Sequence, residues 1–580
     1  MSASTSPVTT DAPNAAIETP ATTEPKPSSV SARIAEVVSH YVTHCFGVMG
    51  NGNAHFVDAL ADSPVEYVAV RHEVATVASA DAFHRVSRRL AVATATYGAG
   101  FTNTLTALTD ARIQRTPLLL VAGGAPLAGL RAWDVDNDRL GGALDVPVMT
   151  VSENDPGATT LAAIARAIEE RTPVILSIPY DLAAAEAAHE NLVFPEFTAA
   201  TPELDQERVQ EIADRMIVAE RPLIIAGRGA RYAADELRQL ADCLGAITVT
   251  SAPARGLFAD RARDAGVCGG FSSEATQALV GKADAVLAIG ASLNDFTMGF
   301  GNLLHGSADL IQIDLAEQAT NSRVCTYLRA DAKQAAAALV DVACEDIDCG
   351  HEGRWPELAD QRTDGFQFDR DPGTGTASDG RLDPRTVFSE LDRILPEDRL
   401  VVTDGGHFIG WPNTYFSLPS PDSIVMVGTA FQSIGLGFSS APGAACAEPN
   451  RTLVVVTGDG GGLMALADLD STVRASNRAV IVVVNDAAYN AEITQYGTIG
   501  LDEHAMRIDE VDFAALAPAV GAEGIVARTP EDLQQVAQWV ESHDSGALIV
   551  DCRISPEVVA PYQQEIMERL RRNLGIVEVN

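Results

Sequence analysis

No stretch of this 580-residue chain approaches the roughly 18 uninterrupted apolar residues of a membrane span; the longest runs are strand-length pieces such as LLLVA and VIVVV. A membrane partner is therefore not expected. Basic residues are scarce, 41 Lys and Arg against 79 Asp and Glu, and a formal charge of -38 repels nucleic acid and anionic lipid alike. The eight cysteines are scattered, with no CxxC pair. Neither a zinc site nor a disulfide framework is expected, and reduced thiols in a cytoplasmic protein fit best. Short-period tandem repeats are missing too. Residues 1–30, rich in Ala, Pro, Ser and Thr and without an apolar core segment, read as a disordered tail and not as a signal peptide.

What is present is ample apolar material, 46% of the chain, more than a single core absorbs. From 31 to 190, short apolar runs (VEYVAV, LAVATAT, PLLLVAG, PVILSIP) alternate with helical stretches at 73–87 and 103–112, the rhythm of a parallel α/β sheet. A second such series occupies 200–345 and a third 383–560, followed by a charged helix and tail at 561–580. The interval 346–382, dense in Gly, Asp and Arg, reads as a linker. The expected fold is α/β, with three doubly wound parallel-sheet domains.

In 452–486 an apolar strand runs straight into Gly458-Asp459-Gly460-Gly461-Gly462, then a helix, then a second strand ending at Asn485-Asp486. Both polar clusters fall at strand C-termini, the edge of an open parallel sheet where ligands bind. Glycines allow close approach of backbone N–H groups to phosphate oxygens. Asp459 and Asp486 offer hard oxygens to a bridging divalent ion, magnesium suiting them best. A lone GDG is more often a plain turn with solvated acids. Here strand, glycines, helix, strand and second acid occur in order, which favours a metal–diphosphate site.

That stretch resembles the thiamine diphosphate motif of the superfamily of acetohydroxyacid (acetolactate) synthase, pyruvate decarboxylase and 2-hydroxyacyl-CoA lyase, which runs from GDG to an Asn-Asn pair. The resemblance implies Mg2+ held by Asp459, Asp486 and the carbonyl of Ala488, and thiamine diphosphate lying against Gly458, Gly460, Gly461 and Tyr489. Asp486 departs from the family's Asn; it keeps a coordinating oxygen and adds a charge. The family also needs a glutamate in the first domain to activate the aminopyrimidine. Glu73 in AVRHEVATVASADAF matches it, with His72 beside it. A buried carboxyl suits that role because desolvation raises its pKa. Thr96-Tyr97-Gly98-Ala99-Gly100-Phe101-Thr102-Asn103 is similar to the family segment that follows, placing Gly98 at the cofactor. His407 matches a diphosphate contact, Gln432 a carbonyl offered to the aminopyrimidine amine, and Ile434 the bulky residue that bends the cofactor. In the family, Glu73 of one subunit would face Asp459 of another, so a homodimer is the minimum and a homotetramer is common.

Glu492, six positions beyond Asp486, falls where decarboxylases carry a proton-handling glutamate. Asn51, Asn53, His55, Tyr97, Asn490 and Tyr496 are candidates for the substrate pocket, although Asn51 and Asn53 equally suit a turn. The paired histidines of pyruvate decarboxylase have no counterpart in AGGAPLAGLRAWDVDNDR, which disfavours simple pyruvate decarboxylation. The leading reading is a 2-oxo acid decarboxylase or carboligase acting on a small-molecule substrate. The alternatives are a 2-hydroxyacyl-CoA lyase, with Arg228, Arg231, Arg255 and the Arg569, Arg571, Arg572 cluster on the nucleotide phosphates, and an inert regulatory relative. Gly227-Arg228-Gly229 and Ala291–Asp295 are compatible with FAD or ADP in the central domain.

Overall fold

The computed structural model describes residues 28–345, 354–356, 358, 362–368 and 370–573. The expected tail up to residue 27, much of the expected linker and residues 574–580 lie outside the described residues.

Three six-stranded sheets organise the chain, and every named strand pairs in parallel. The first contains β1 (His44–Gly47), β2 (Glu66–Ala69), β3 (Val92–Ala95), β4 (Leu118–Gly124), β5 (Val148–Thr150) and β6 (Pro173–Pro179), in the order β2-β1-β3-β4-β6-β5. The second contains β7 (Pro222–Ala226), β8 (Ile247–Thr250), β9 (Asp264–Val267), β10 (Ala285–Ile289), β11 (Asp309–Asp314) and β12 (Val324–Arg329), ordered β12-β11-β10-β7-β8-β9. The third contains β13 (Arg399–Thr403), β14 (Ile424–Val425), β15 (Thr452–Gly458), β16 (Arg478–Asn485), β17 (Glu523–Ala527) and β18 (Gly546–Arg553), ordered β14-β13-β15-β16-β18-β17. Strands β4, β6 and β15 are buried along their whole length. Helices cover both faces of such sheets, so these strands read as continuous apolar runs and not as alternating ones.

The first and third sheets share one order. In each the chain builds outward one way and then reverses, leaving switch points between β1 and β3 and between β13 and β15. Crevices at such points are where open α/β sheets take ligands. The segments 50–53 and 96–100 follow the strands flanking the first switch point, and 404–407 and 458–462 follow those flanking the third sheet's.

The outer two domains are packed together within the chain. Helix Glu73–Ser87 lies on helix Gly437–Ala447 so closely that a Cβ on Gly443 would sit 1.8 Å from the Ser79 carbonyl oxygen. Two carboxylates clamp this contact in opposite directions. Asp110 of the first domain accepts from the N–H groups of Gly428, Ala430 and Phe431 at 2.9, 3.0 and 3.0 Å, and from Arg85 at 2.9 Å. Asp468 of the third domain accepts from the Arg71 N–H at 2.9 Å, two residues before Glu73. Arg85 is itself buried, bound by both oxygens of Asp81 and donating to the Met426 carbonyl.

The expectation of unpaired thiols is corrected in the central domain. Cys243 and Cys344 form a disulfide between helices Ala234–Leu244 and Ala332–Glu345, with Cα atoms 5.6 Å apart. A separation of 101 residues leaves no local signal, and the pair becomes apparent only when both helices settle side by side. Cys45, Cys268, Cys325, Cys446 and Cys552 are free. Among the described residues no helix is long and apolar enough to cross a membrane. Of the expected linker, Trp355 is buried and donates through Nε1 to the Pro222 carbonyl at 2.9 Å, packing this segment against the central sheet.

Candidate active site

β15 ends at Gly458, and the backbone turns at once into the short helix Asp459–Met464. Crowding explains the glycines: a Cβ on Gly461 would lie 2.6 Å from Asp404 Oδ2, and one on Gly460 would lie 2.6 Å from the Tyr489 ring. Asp459 is 3% exposed, and its Oδ2 has no hydrogen-bond partner among the described residues. Burial pushes its pKa up, against N–H groups of Gly460, Ala487 and Ala488 that favour the charged form. Asp486 follows β16; burial raises its pKa and the neighbouring Asp459 charge raises it further. Two mutually repelling carboxylates, Asp459 buried and Asp486 half-buried, with an unpartnered oxygen make a poor structural pair. They fit a hard divalent cation, which would supply the missing charge and coordinate the free oxygen.

Ala487 adopts a left-handed φ of 59°, uncommon for a residue with a Cβ. The turn is held because the Ala487 carbonyl accepts from Ile508 and the Tyr489 N–H donates to Met506, bonds that do not use the Ala488 carbonyl. Asn485 is locked beside it, donating to Val511 and Asp551.

Asp404, at the end of β13, organises the opposite wall. Its buried carboxylate accepts from Gly405, Gly435 and Leu436 N–H groups and from the Thr457 hydroxyl. These bonds set the loop carrying Gln432, which has φ 57°, and Ile434, whose side chain reaches Gly405. Asp404 and Asp110 thus suspend residues 428–436 from both ends. His407 is buried; its Nε2 accepts from the Ala560 N–H at 3.1 Å, and burial holds its pKa down to about 4. A neutral ring accepting at Nε2 carries its proton on Nδ1, and that nitrogen has no partner among the described residues. Such a donor suits an anionic ligand.

In the first domain, Glu73 begins its helix with His72 as the N-cap, the His72 Nδ1 accepting from Val74 N–H at 3.2 Å. Asn103 donates to Glu73 Oε2 at 2.9 Å, and a Cβ on Gly100 would stand 3.3 Å from Oε1. Glu73 is half-buried in the single chain, short of the buried carboxyl expected. Gly98 has φ 61° and faces the Trp133 carbonyl, where a Cβ would come within 2.5 Å.

The remaining candidates divide. Asn53 is 1% exposed, accepts from Gly50 and donates to Val48 and Thr94, so its amide is spent on the turn. Asn51 and His55 are exposed nearby. Tyr97 packs against Gly52. Glu492 and Tyr496 stand exposed on and after the helix Asn490–Gln495, on the Asp486 side, and Asn490 donates to the Pro556 carbonyl. Four of the arginines suggested for a nucleotide are engaged within the chain. Arg228 donates to the Gln114 carbonyl, Arg231 to Arg85, Arg255 to Pro412 and Phe416, and Arg569 to Asp295. Gly227 and Gly229 pack against Gly290, so their missing side chains serve backbone contact within the central sheet.

Asp110 and Asp468 were not among the sequence candidates. Their partners lie 318 to 397 residues away, and nothing in their local sequence marks them.

The fold and the paired switch-point sites define an α/β enzyme built to hold a diphosphate-bearing cofactor between two similar sheets. Comparison agrees. Residues 29–140 match the N-terminal TPP binding domain of thiamine pyrophosphate enzymes, 209–339 the central domain and 404–552 the C-terminal TPP binding domain. The chain belongs to the thiamine pyrophosphate enzyme family and is a lyase or transferase dependent on that cofactor. It is 27% identical over 577 residues to sulfoacetaldehyde acetyltransferase of Castellaniella defragrans, covering 92% of this chain and 94% of that one. It is 25% identical over 557 residues to acetolactate synthase of Mycobacterium avium, covering 91% and 88%. A probable 2-ketoarginine decarboxylase of Pseudomonas aeruginosa is 27% identical over 555 residues, covering 90% and 93%. Among solved structures, the thiamine diphosphate-dependent 4-hydroxybenzoylformate decarboxylase of Rhodococcus jostii RHA1 superposes with a TM-score of 0.75 at 22% identity, covering 92% of this chain and all of that one.

Proposed function

We propose that this enzyme is a magnesium-dependent 2-oxo acid decarboxylase or carboligase. The observation that carries this reading is the matched pair of half-sites: Glu73 at the ligand edge of the first sheet, and the Asp459–Asp486 pair at the switch point of the third. Mg2+ would be held by Asp459, Asp486 and the Ala488 carbonyl, and the diphosphate by Gly458, Gly460, Gly461 and the His407 Nδ1–H. Gln432, Ile434 and Tyr489 would line the rest of the cofactor. When bound, the cofactor supplies a nucleophilic carbon that adds to a carbonyl and takes up the electrons of the bond that breaks. Glu73 would hydrogen-bond the aminopyrimidine ring nitrogen of the bound cofactor, and Asn103 fixes the carboxylate for that role. His72, capping the same helix, borders the reacting centre. Glu492 donates or accepts the proton that the product carbon or oxygen requires. The C1–C2 bond of the 2-oxo acid breaks, CO2 leaves, and the former carbonyl carbon gains a proton or joins an acceptor carbonyl. The names of the decarboxylase and synthase relatives fit this bond chemistry.

Large apolar side chains stand exposed beside both half-sites, Met49, Leu130 and Trp133 on one and Phe431, Met464 and Tyr496 on the other. A second copy covering them would bring Glu73 of one subunit to Asp459 of its partner, which supports a homodimer or a tetramer built from dimers. A 2-hydroxyacyl-CoA lyase is less well supported, since Arg228, Arg231, Arg255 and Arg569 are already bonded within the chain.

The test is the purified protein, loaded with thiamine diphosphate and Mg2+, offered a panel of 2-oxo acids with aldehyde acceptors and with 2-hydroxyacyl-CoAs. CO2 release with an aldehyde or 2-hydroxy ketone product is expected. Consumption of acyl-CoA alone, or of nothing by a cofactor-saturated protein, overturns the reading. A second expectation concerns the loop clamp. Asp110→Asn keeps the shape but weakens charged hydrogen bonds worth about 1.5–3 kcal/mol each. Fewer molecules hold the loop ready, so the cofactor concentration for half-saturation should rise about 10- to 100-fold, measured by cofactor titration of activity.

A further inference from the structure

Arg131 lies in the exposed loop after β4, yet it is among the most constrained side chains on that surface. Its guanidinium stands 4.4 Å from the ring centre of Tyr97 and 4.4 Å from that of Tyr180, with Trp133 at 5.5 Å. The two tyrosine rings meet edge to face at 5.7 Å. Asp134, whose side chain is fully buried, accepts from the Arg131 backbone N–H, Nε and Nη2, each at 2.8 Å. Backbone, carboxylate and two rings therefore fix the plane of the fork. Nη1 alone has no hydrogen-bond partner among the described residues.

The cage is drawn from the carboxyl ends of three adjacent strands: Tyr97 after β3, Arg131 and Asp134 after β4, Tyr180 after β6. That is the ligand edge of the first sheet. Tyr97 immediately precedes Gly98, which is pressed against the Trp133 carbonyl, and Gly100 abuts Glu73. An ion pair at a protein surface adds little stability. Two aromatic faces and a buried carboxylate are more than such a pair requires, but they are what a preorganised donor fork requires. Because Asp134 balances the charge, recognition would come from the aimed Nη1 donors in a partly water-excluded setting, a geometry suited to planar or tetrahedral oxyanions.

We propose that Arg131 binds an anionic group of the substrate, a carboxylate or sulfonate carried beyond the reacting carbonyl, and so selects 2-oxo acids or aldehydes with a charged tail. This deepens the reading of the preceding section and rests on it. Tyr97 and Tyr180 hold the fork, and Asp134 positions it.

Trp133 reports on this cage, since its ring stands 5.5 Å from the Arg131 guanidinium, while Trp355, Trp411 and Trp539 are buried in other parts of the chain. Ethanesulfonate added to the holoenzyme should give a saturable fluorescence change, and the neutral analogue dimethyl sulfone should give none. Arg131→Gln should weaken the sulfonate response about tenfold or more, and Arg131→Lys, a point charge without the fork, should not restore it. In turnover, Arg131→Gln should raise KM for 2-oxoglutarate or sulfoacetaldehyde while leaving KM for pyruvate or acetaldehyde unchanged. No saturable response in the wild type, an equal response in Arg131→Gln, or an equal rise in KM for charged and uncharged substrates would overturn the proposal. A cofactor titration on the same protein separates this failure from that of the underlying reading. If thiamine diphosphate and Mg2+ saturate yet no 2-oxo acid or aldehyde turns over, the reading fails, and the sulfonate titration still decides the anion site.

Discussion

Glu73→Gln is expected to lower turnover by about 10²–10⁴-fold while leaving thiamine diphosphate affinity nearly unchanged, the range that loss of one proton-transfer group produces. Glutamine keeps the length of the side chain and can still meet the Asn103 amide, which lies 2.9 Å from Glu73 Oε2. What it loses is the ability to share a proton with a ring nitrogen. Steady-state rates combined with a fluorescence titration of the cofactor check both halves of the expectation. Activity within a few-fold of wild type would remove Glu73 from the chemistry. Loss of cofactor binding would make it a structural residue.

The second large effect concerns the metal. Asp459→Ala should weaken Mg2+-dependent cofactor binding by on the order of 100-fold or more, since residues that merely support a ligand already cost 10–100-fold when removed. The orphaned Asp459 Oδ2 is the oxygen at stake. Asp486→Asn should behave differently. It retains an oxygen but relieves the repulsion between two neighbouring carboxylates, so the metal-free protein should melt at a higher temperature than wild type while still binding the cofactor. Calorimetry in chelator, followed by titration with Mg2+ and Mn2+, measures both. A metal-free melting temperature that does not rise would mean that the two acids do not repel each other, and cofactor binding unaltered in Asp459→Ala would place the metal elsewhere.

Much of this architecture is legible in sequence because buried parallel strands are continuous apolar runs. β4, β6, β15 and β16 stand out for that reason, and the glycines and acids at the ends of β15 and β16 are adjacent to them in the chain. Strands such as β1, β9, β12 and β17 are not legible. HCFG, DAGV, VCTYLR and EGIVA carry no long apolar run, and they become strands only by pairing with a neighbour. The site was readable where one element carries it and silent where packing creates it. Asn53 suits a pocket and a turn equally in the sequence, and only the placement of Val48 and Thr94 around it shows where its amide bonds go. The Cys243–Cys344 bond, the Asp110 and Asp468 clamps and the Arg131 cage all join segments whose nearness is a product of the fold.

The opposed clamps bear on how such an enzyme can be recombined. The loop presenting Gln432 and Ile434 hangs partly from Asp110, and the approach to Glu73 hangs from Asp468. A chimera cut between the outer domains would receive every residue that faces the diphosphate and still lack the support that shapes its wall. The unit that can be exchanged among relatives is therefore the pair of outer domains kept together; the central domain is tied to them by arginine–carbonyl bonds and by Phe271 and Phe296 packed on Tyr562 of the third domain.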